Sequence, residues 1–173
     1  SYEELVELDL KRSVEFFDNV NYDKIKLLLV NISLEYKDTI GYYQGMNYIA
    51  IFLFAIFGEE TSSFHFFCYI AERLLIKHFS HSFVELVRLI WTSDRLIQIK
   101  SPRLWEKLRN GSVSSIHFAV PNFITLFASL TKTKRGQKYI VDIWDMMLSE
   151  GMYCILKTLL YTLELQKGNI DLI

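Results

Sequence analysis

The sequence predicts an all-α fold, a single irregular multi-helix domain, and three observations carry that reading. Apolar residues return at helical spacing in one stretch after another. Only two prolines and seven glycines occur in 173 residues, too few for a many-turned β-sandwich. No segment of useful length alternates apolar and polar residues with period two. With no linker, low-complexity tract or internal repeat, residues 1–173 read as one domain, long enough to bury a continuous core.

The elements follow in chain order. Ile25, Leu28, Leu29, Ile32 and Tyr36 lie on one helix face. Met46 to Phe57 reads MNYIAIFLFAIF and is stopped by Gly58-Glu59-Glu60. Its 12 residues fall short of the roughly 20 that span a bilayer, so it predicts a helix buried on all sides in a core and no transmembrane segment. Phe64, Phe67, Cys68, Ala71, Leu74 and Leu75 form the next face, with Thr61 to Ser63 as candidate caps. Leu86, Leu89, Ile90 and Ile97 make another. Ser101-Pro102 is a helix start, with serine as cap and proline in the first turn, and Asn110-Gly111 is a stop. Ile140, Ile143, Trp144 and Met147 precede a stop at Gly151, and Leu156, Leu159, Leu160 and Leu163 begin the last helix. The sum is about eight helices joined by short polar connectors.

Composition narrows the function. Hydrophobic residues make up 51%, aromatics 15% and charged residues 23%, which is a core-rich mixture far from disorder. A net charge of −1 supplies no bulk basic field for nucleic acid or for an anionic membrane. Cys68 and Cys154 stand far apart in apolar runs and read as free thiols in a reducing compartment. The acidic Ser1 to Glu7 is no signal peptide, so the expected location is cytoplasmic. His78 and His81 lack a cysteine or carboxylate cluster, and no metal site is expected. Ser80 and Ser82 have no nucleophile-elbow context, and no glycine-rich loop offers the chain a nucleotide site of its own. Lys132, Lys134, Arg135 and Lys138 read as a solvated basic loop.

Two runs carry chemistry. In Val6-Glu7-Leu8-Asp9-Leu10-Lys11-Arg12, Asp9 precedes Arg12 by three positions, so on a helical turn the carboxylate shares a face with the guanidinium and can pair with it. In Gly41-Tyr42-Tyr43-Gln44-Gly45-Met46-Asn47, glycines flank two tyrosines and a glutamine directly before the apolar helix. Gln44 then stands where a loop meets a rigid element. Its neutral amide has donors and an acceptor, so it can orient a water without acting as a strong base.

Together these runs resemble the TBC family of Rab GTPase-activating proteins. The family pairs an Ile-x-x-Asp-x-x-Arg motif with a Tyr-x-Gln-Gly motif, in this order. Val6, Asp9 and Arg12 match the first with valine for isoleucine, and Tyr42, Gln44 and Gly45 match the second intact. Phe118 to Phe123 with Thr125-Leu126-Phe127 is similar to a third block, and Ile143-Trp144-Asp145 to a fourth.

The resemblance implies a TBC domain that lacks its most N-terminal helices, and an activator rather than an enzyme with its own nucleotide site. Arg12 would be an arginine finger and Gln44 a glutamine finger, both supplied in trans to a Rab-family GTPase. Asp9 would orient Arg12, Gly45 would let the backbone approach the GTPase switch region, and Tyr42 would support the loop by packing. No cofactor is expected, since GTP and magnesium belong to the partner. Work in vesicle traffic, peripheral to endomembranes through the Rab, would follow. The chain departs from the family pattern at Ser13, where threonine is common, and at Asn122, where tryptophan is common. An inactive TBC-like scaffold, or a structural part of a larger assembly, is the second reading.

Overall fold

Helices account for the regular structure of this computed structural model, which describes residues 1–13, 21–80, 83–131 and 134–165. They are α1 (Tyr2–Ser13), α2 (Tyr22–Glu35), α3 (Met46–Phe57), α4 (Glu60–Ile70), α5 (Ile76–Phe79), α6 (Val84–Lys100), α7 (Pro102–Asn110), α8 (Ile116–Ile124), α9 (Lys134–Glu150) and α10 (Cys154–Leu165). A π-turn, Ala71–Leu75, joins α4 to α5, and a 3₁₀ turn, Ala128–Leu130, follows α8. No strand occurs among the described residues, and the chain is all-α. No described helix is long and apolar enough to cross a membrane.

Helix α3 packs against α1, α2, α4 and the 3₁₀ turn. Met46, Ile49, Ala50, Ile51, Phe52 and Leu53 are buried, at the middle of the core. Burial on all sides does not extend to the end of this helix. Ile56 and Phe57 in its last turn are exposed, and Gly58 closes it in a left-handed cap at φ 70°.

The predicted apolar faces are the packed ones, with local differences at the caps. In α2, Asn21 accepts from the Lys24 amide, and Ile25, Leu28, Leu29 and Ile32 are buried. The cap of α4 is Glu59 instead of Thr61 to Ser63, because its carboxylate reaches the amides of both Thr61 and Ser62. Ser101 occupies the cap position of α7, yet its hydroxyl bonds Glu164 of α10 and gives the helix no side-chain cap. Pro102 still opens α7, and the Gly111 amide closes it by donating to the Lys107 carbonyl.

The short α5 and the whole of α8 were not anticipated. Helix α8 runs through Pro121, and the chain then turns sharply with Leu126 at φ 48° and Phe127 at φ 64°. Bulky side chains resist the left-handed region. The buried Trp144 indole holds the turn by donating to the Leu126 carbonyl at 2.8 Å, while its ring meets Phe52 edge-on at 4.9 Å.

His81, Ser82 and Lys132 lie outside the described residues, as do the side chains of Lys134 and Arg135. Among the described residues no group of three or more His, Cys, Asp or Glu side chains could hold a metal. Cys68 and Cys154 are free, and burial pushes the Cys154 thiol up to about 11.

His78 is buried, with its Nδ1 unpartnered and its ring edge-on to Tyr153. Burial, and secondarily Lys77, lowers its pKa, against a smaller opposing effect of Glu85. The folded state therefore binds the proton more weakly than the unfolded chain does. Its contribution is intact above the unfolded value of about 6.5 and is lost as pH falls below it. Thermal melting followed from pH 8 to pH 5 should show a fall in Tm over the acid part of this range, and His78→Phe should make that fall shallower.

Candidate functional site

The last turn of α1 and the turn that leads into α3 meet along a polar seam. Val6, Asp9, Leu10 and Ser13 form the buried stripe of α1, at helical spacing, so Asp9 and Ser13 face inward among apolar neighbours. Buried polar groups require partners, and both find theirs in the segment Tyr42–Asn47. The Tyr42 hydroxyl donates to Asp9 Oδ2 at 2.9 Å. Asn47 Nδ2 donates to Ser13 Oγ at 2.9 Å, and Ser13 Oγ donates in turn to the Asp9 carbonyl at 2.9 Å.

The expected pairing of Asp9 with Arg12 is not made. The partner of Asp9 is Tyr42, and the ion pairs among the described residues include no Asp9–Arg12 bridge. The physical reason is burial: the carboxylate points into the seam while Arg12 is exposed. Tyr42 does more than pack, since its hydroxyl joins the two motifs. Burial first, and the Asp9 charge second, raises its pKa, which keeps the donor proton in place.

Arg12 lies on the helix itself, between Asp9 and Ser13 in its last turn. Its neighbour Lys11 is held by Glu7 at 2.8 Å, whereas no ion pair among the described residues includes Arg12. Lys26 of α2 reaches both Glu3 and Glu7, so the carboxylates of α1 are engaged on the side facing α2. The guanidinium at the helix end is left facing solvent.

Gln44 is also exposed, on the turn between Tyr42 and Asn47. Tyr43, its other neighbour, plugs the core against Phe79 at 5.6 Å and Phe83 at 6.2 Å. One tyrosine is thus fixed inward and the other to α1, and the glutamine between the plug and Gly45 projects outward. Gly45 has φ 120°, and a Cβ there would come within 3.1 Å of Ile124 Cγ1 and 3.2 Å of the Ile124 carbonyl oxygen. The close approach this glycine permits is to α8 of the same chain.

A family model described as the Rab-GTPase-TBC domain matches residues 1–170. The chain belongs to that family. It is 26% identical over 157 residues to growth hormone-regulated TBC protein 1-A of Danio rerio, covering 86% of this chain and 42% of that protein. It is 27% identical over 156 residues to the GTPase-activating protein GYP5 of Saccharomyces cerevisiae, covering 88% of this chain and 17% of that one. Small G protein signaling modulator 3 of Rattus norvegicus is 28% identical over 172 residues, at 95% and 22% coverage. The chain thus spans less than half the length of each of these three relatives.

Within the TBC domain, the seam brings together the two motifs singled out in the sequence. It also brings in two residues that were not given a role, Ser13 and Asn47. A signal for their burial, though not for their contact, was available: Ser13 falls seven positions after Val6 on the buried stripe, and polar Asn47 sits in the first turn of an apolar helix.

Tyr42→Phe should cost about 2 kcal/mol, because it leaves a buried carboxylate oxygen without its donor. Gly45→Ala should cost a similar amount or more, through the Ile124 contact and the strain of a Cβ at φ 120°. Urea unfolding of the two variants against the parent chain checks both values.

Proposed function

We propose that this TBC domain accelerates GTP hydrolysis on a Rab-family GTPase by lending it Arg12 and Gln44 in trans. The observation that carries the proposal is the seam. Asp9–Tyr42 and Ser13–Asn47 fasten together the two segments that bear an exposed arginine and an exposed glutamine. A side chain that must meet a reacting phosphate needs a rigid base and a free head, and both residues have these.

The chemistry assigns each its part. Hydrolysis builds negative charge on the transferred phosphoryl group and the bridging oxygen. A guanidinium inserted there is worth roughly 10³–10⁵ in rate. Arg12 is suited to this because its charge is permanent, its fork is planar and no carboxylate of the described chain neutralises it. The attacking water must also be aligned. A neutral amide does this by donating and accepting at once, which is the role given to Gln44. Asp9 acts at one remove, by holding Tyr42 and with it the glutamine turn. GTP and magnesium come with the partner, and the domain would be peripheral to the endomembrane that carries the Rab.

Arg12→Lys should lower stimulated hydrolysis by about 100-fold or more, since an ammonium cannot span two oxygens as a planar fork does. Gln44→Ala should lower it by about 10-fold or more, through loss of water alignment. Neither exposed side chain supports the core, so thermal melting should shift by no more than about 2 °C. A GTPase whose own glutamine is replaced should still respond to the parent chain. Hydrolysis measured over a panel of purified Rab proteins decides the matter. Full activity of Arg12→Lys would remove the arginine from the mechanism, and silence of every Rab would leave the domain a scaffold.

A further inference from the structure

We infer that the buried pair Ser13 and Asn47 is a positioning device that sets the spacing between Arg12 and Gln44. The inference rests on the GTPase-activating reading and adds two residues to it that touch neither phosphate nor water.

Asn47 is 2% exposed and Ser13 1% exposed, so neither reaches a partner protein. Both ends of the Asn47 amide are committed. Oδ1 accepts from the Gly45 amide at 3.1 Å, and Nδ2 donates to Ser13 Oγ at 2.9 Å. Ser13 then donates to the Asp9 carbonyl at 2.9 Å, with a longer contact to the Leu10 carbonyl at 3.3 Å. The bonds run in one direction, from the backbone of the glutamine turn to the backbone of the arginine helix.

This arrangement differs from ordinary core satisfaction in what it joins. The N-terminus of α3 has no side-chain cap at Gly45, and Asn47, just inside the helix, is turned back to hold the Gly45 amide. Gly45 adjoins Gln44, and Ser13 adjoins Arg12. One side-chain amide therefore spans from the residue next to one finger to the residue next to the other. The bond between Tyr42 and Asp9 fixes the opposite flank of the same pair. Two ties, one on each side, remove the rotation that a single tie would allow.

The donor and acceptor pattern makes the device testable with small changes. Asn47→Ala removes the donor for Ser13 together with the acceptor for Gly45. Ser13→Ala removes the acceptor for Asn47. Ser13→Thr keeps the hydroxyl and should keep the bond.

In stimulated hydrolysis with the intact protein and a responsive Rab, Ser13→Ala and Asn47→Ala should each lower the maximal rate about 10- to 100-fold. The Rab concentration for half-maximal rate should change by less than about 2-fold, because the docking surface is untouched. The double variant should be no worse than the worse single one, as expected of two ends of one bond. Ser13→Thr should retain the parent rate. In parallel, NMR relaxation of the Gln44 side-chain amide and the Arg12 Nε–H should report greater motion in Ser13→Ala than in the parent or Ser13→Thr. Unchanged motion and unchanged maximal rate in Ser13→Ala would overturn the inference, as would a loss that appears only in the half-maximal concentration. Arg12→Lys run beside these variants separates the two levels. If the parent itself stimulates no Rab, the GTPase reading fails, and the relaxation result alone decides whether this pair holds the two side chains still.

Discussion

Burial of the first turns of α3 is the constraint on which the rest depends. A helix whose inner residues touch α1, α2, α4 and the 3₁₀ turn cannot shift without moving all four, since interiors are close-packed and yield little. The turn that precedes it inherits that fixity. Tyr43 is driven into the core with Phe79 and Phe83, and Gly45 is pressed on Ile124, so Gln44 has one place to stand. With the backbone already anchored, engagement of an exposed side chain with a partner costs only the freedom of the side chain itself.

The polar seam adds direction to what the apolar core supplies in bulk. The hydrophobic effect itself is non-directional, whereas hydrogen bonds between buried groups specify one geometry and penalise the others. Asp9 and Ser13 face inward from α1 and are met by Tyr42 and Asn47. The surface ion pairs of Lys26 with Glu3 and Glu7 contribute little stability by comparison, because exposed charges stay well solvated. They do keep the carboxylates of α1 engaged and away from Arg12.

Periodicity made most of the helices legible, because amphipathic faces such as Ile25–Leu28–Leu29–Ile32 leave a direct imprint on the sequence. Caps were less so. Glu59 and Ser101 show that a side chain near a helix start is claimed by whichever amide or carboxylate the tertiary fold brings closest. Helix α8 was hidden by Pro121, a residue that speaks against helix interiors by its missing donor. At the site, the resemblance to the TBC motifs singled out Arg12 and Gln44, while local spacing offered Asp9 as a partner of Arg12. A three-residue offset makes pairing with Arg12 feasible, and only the burial of that face, which depends on α3, turns the carboxylate to Tyr42. Ser13 and Asn47 form a bond across 34 positions of sequence, and no local pattern announces such a contact.

The turn of Leu126 and Phe127 has a consequence for how variants of this domain are interpreted. Its left-handed backbone is pinned by the Trp144 indole, and Ile124, against which Gly45 rests, lies only two residues before Leu126. A change at Trp144 thus disturbs the surface on which the glutamine turn is seated, from a helix that carries no residue of the seam. Variants that still fold yet lose function need not mark residues of the seam itself. Some will mark the far wall of the mould in which the glutamine turn is cast.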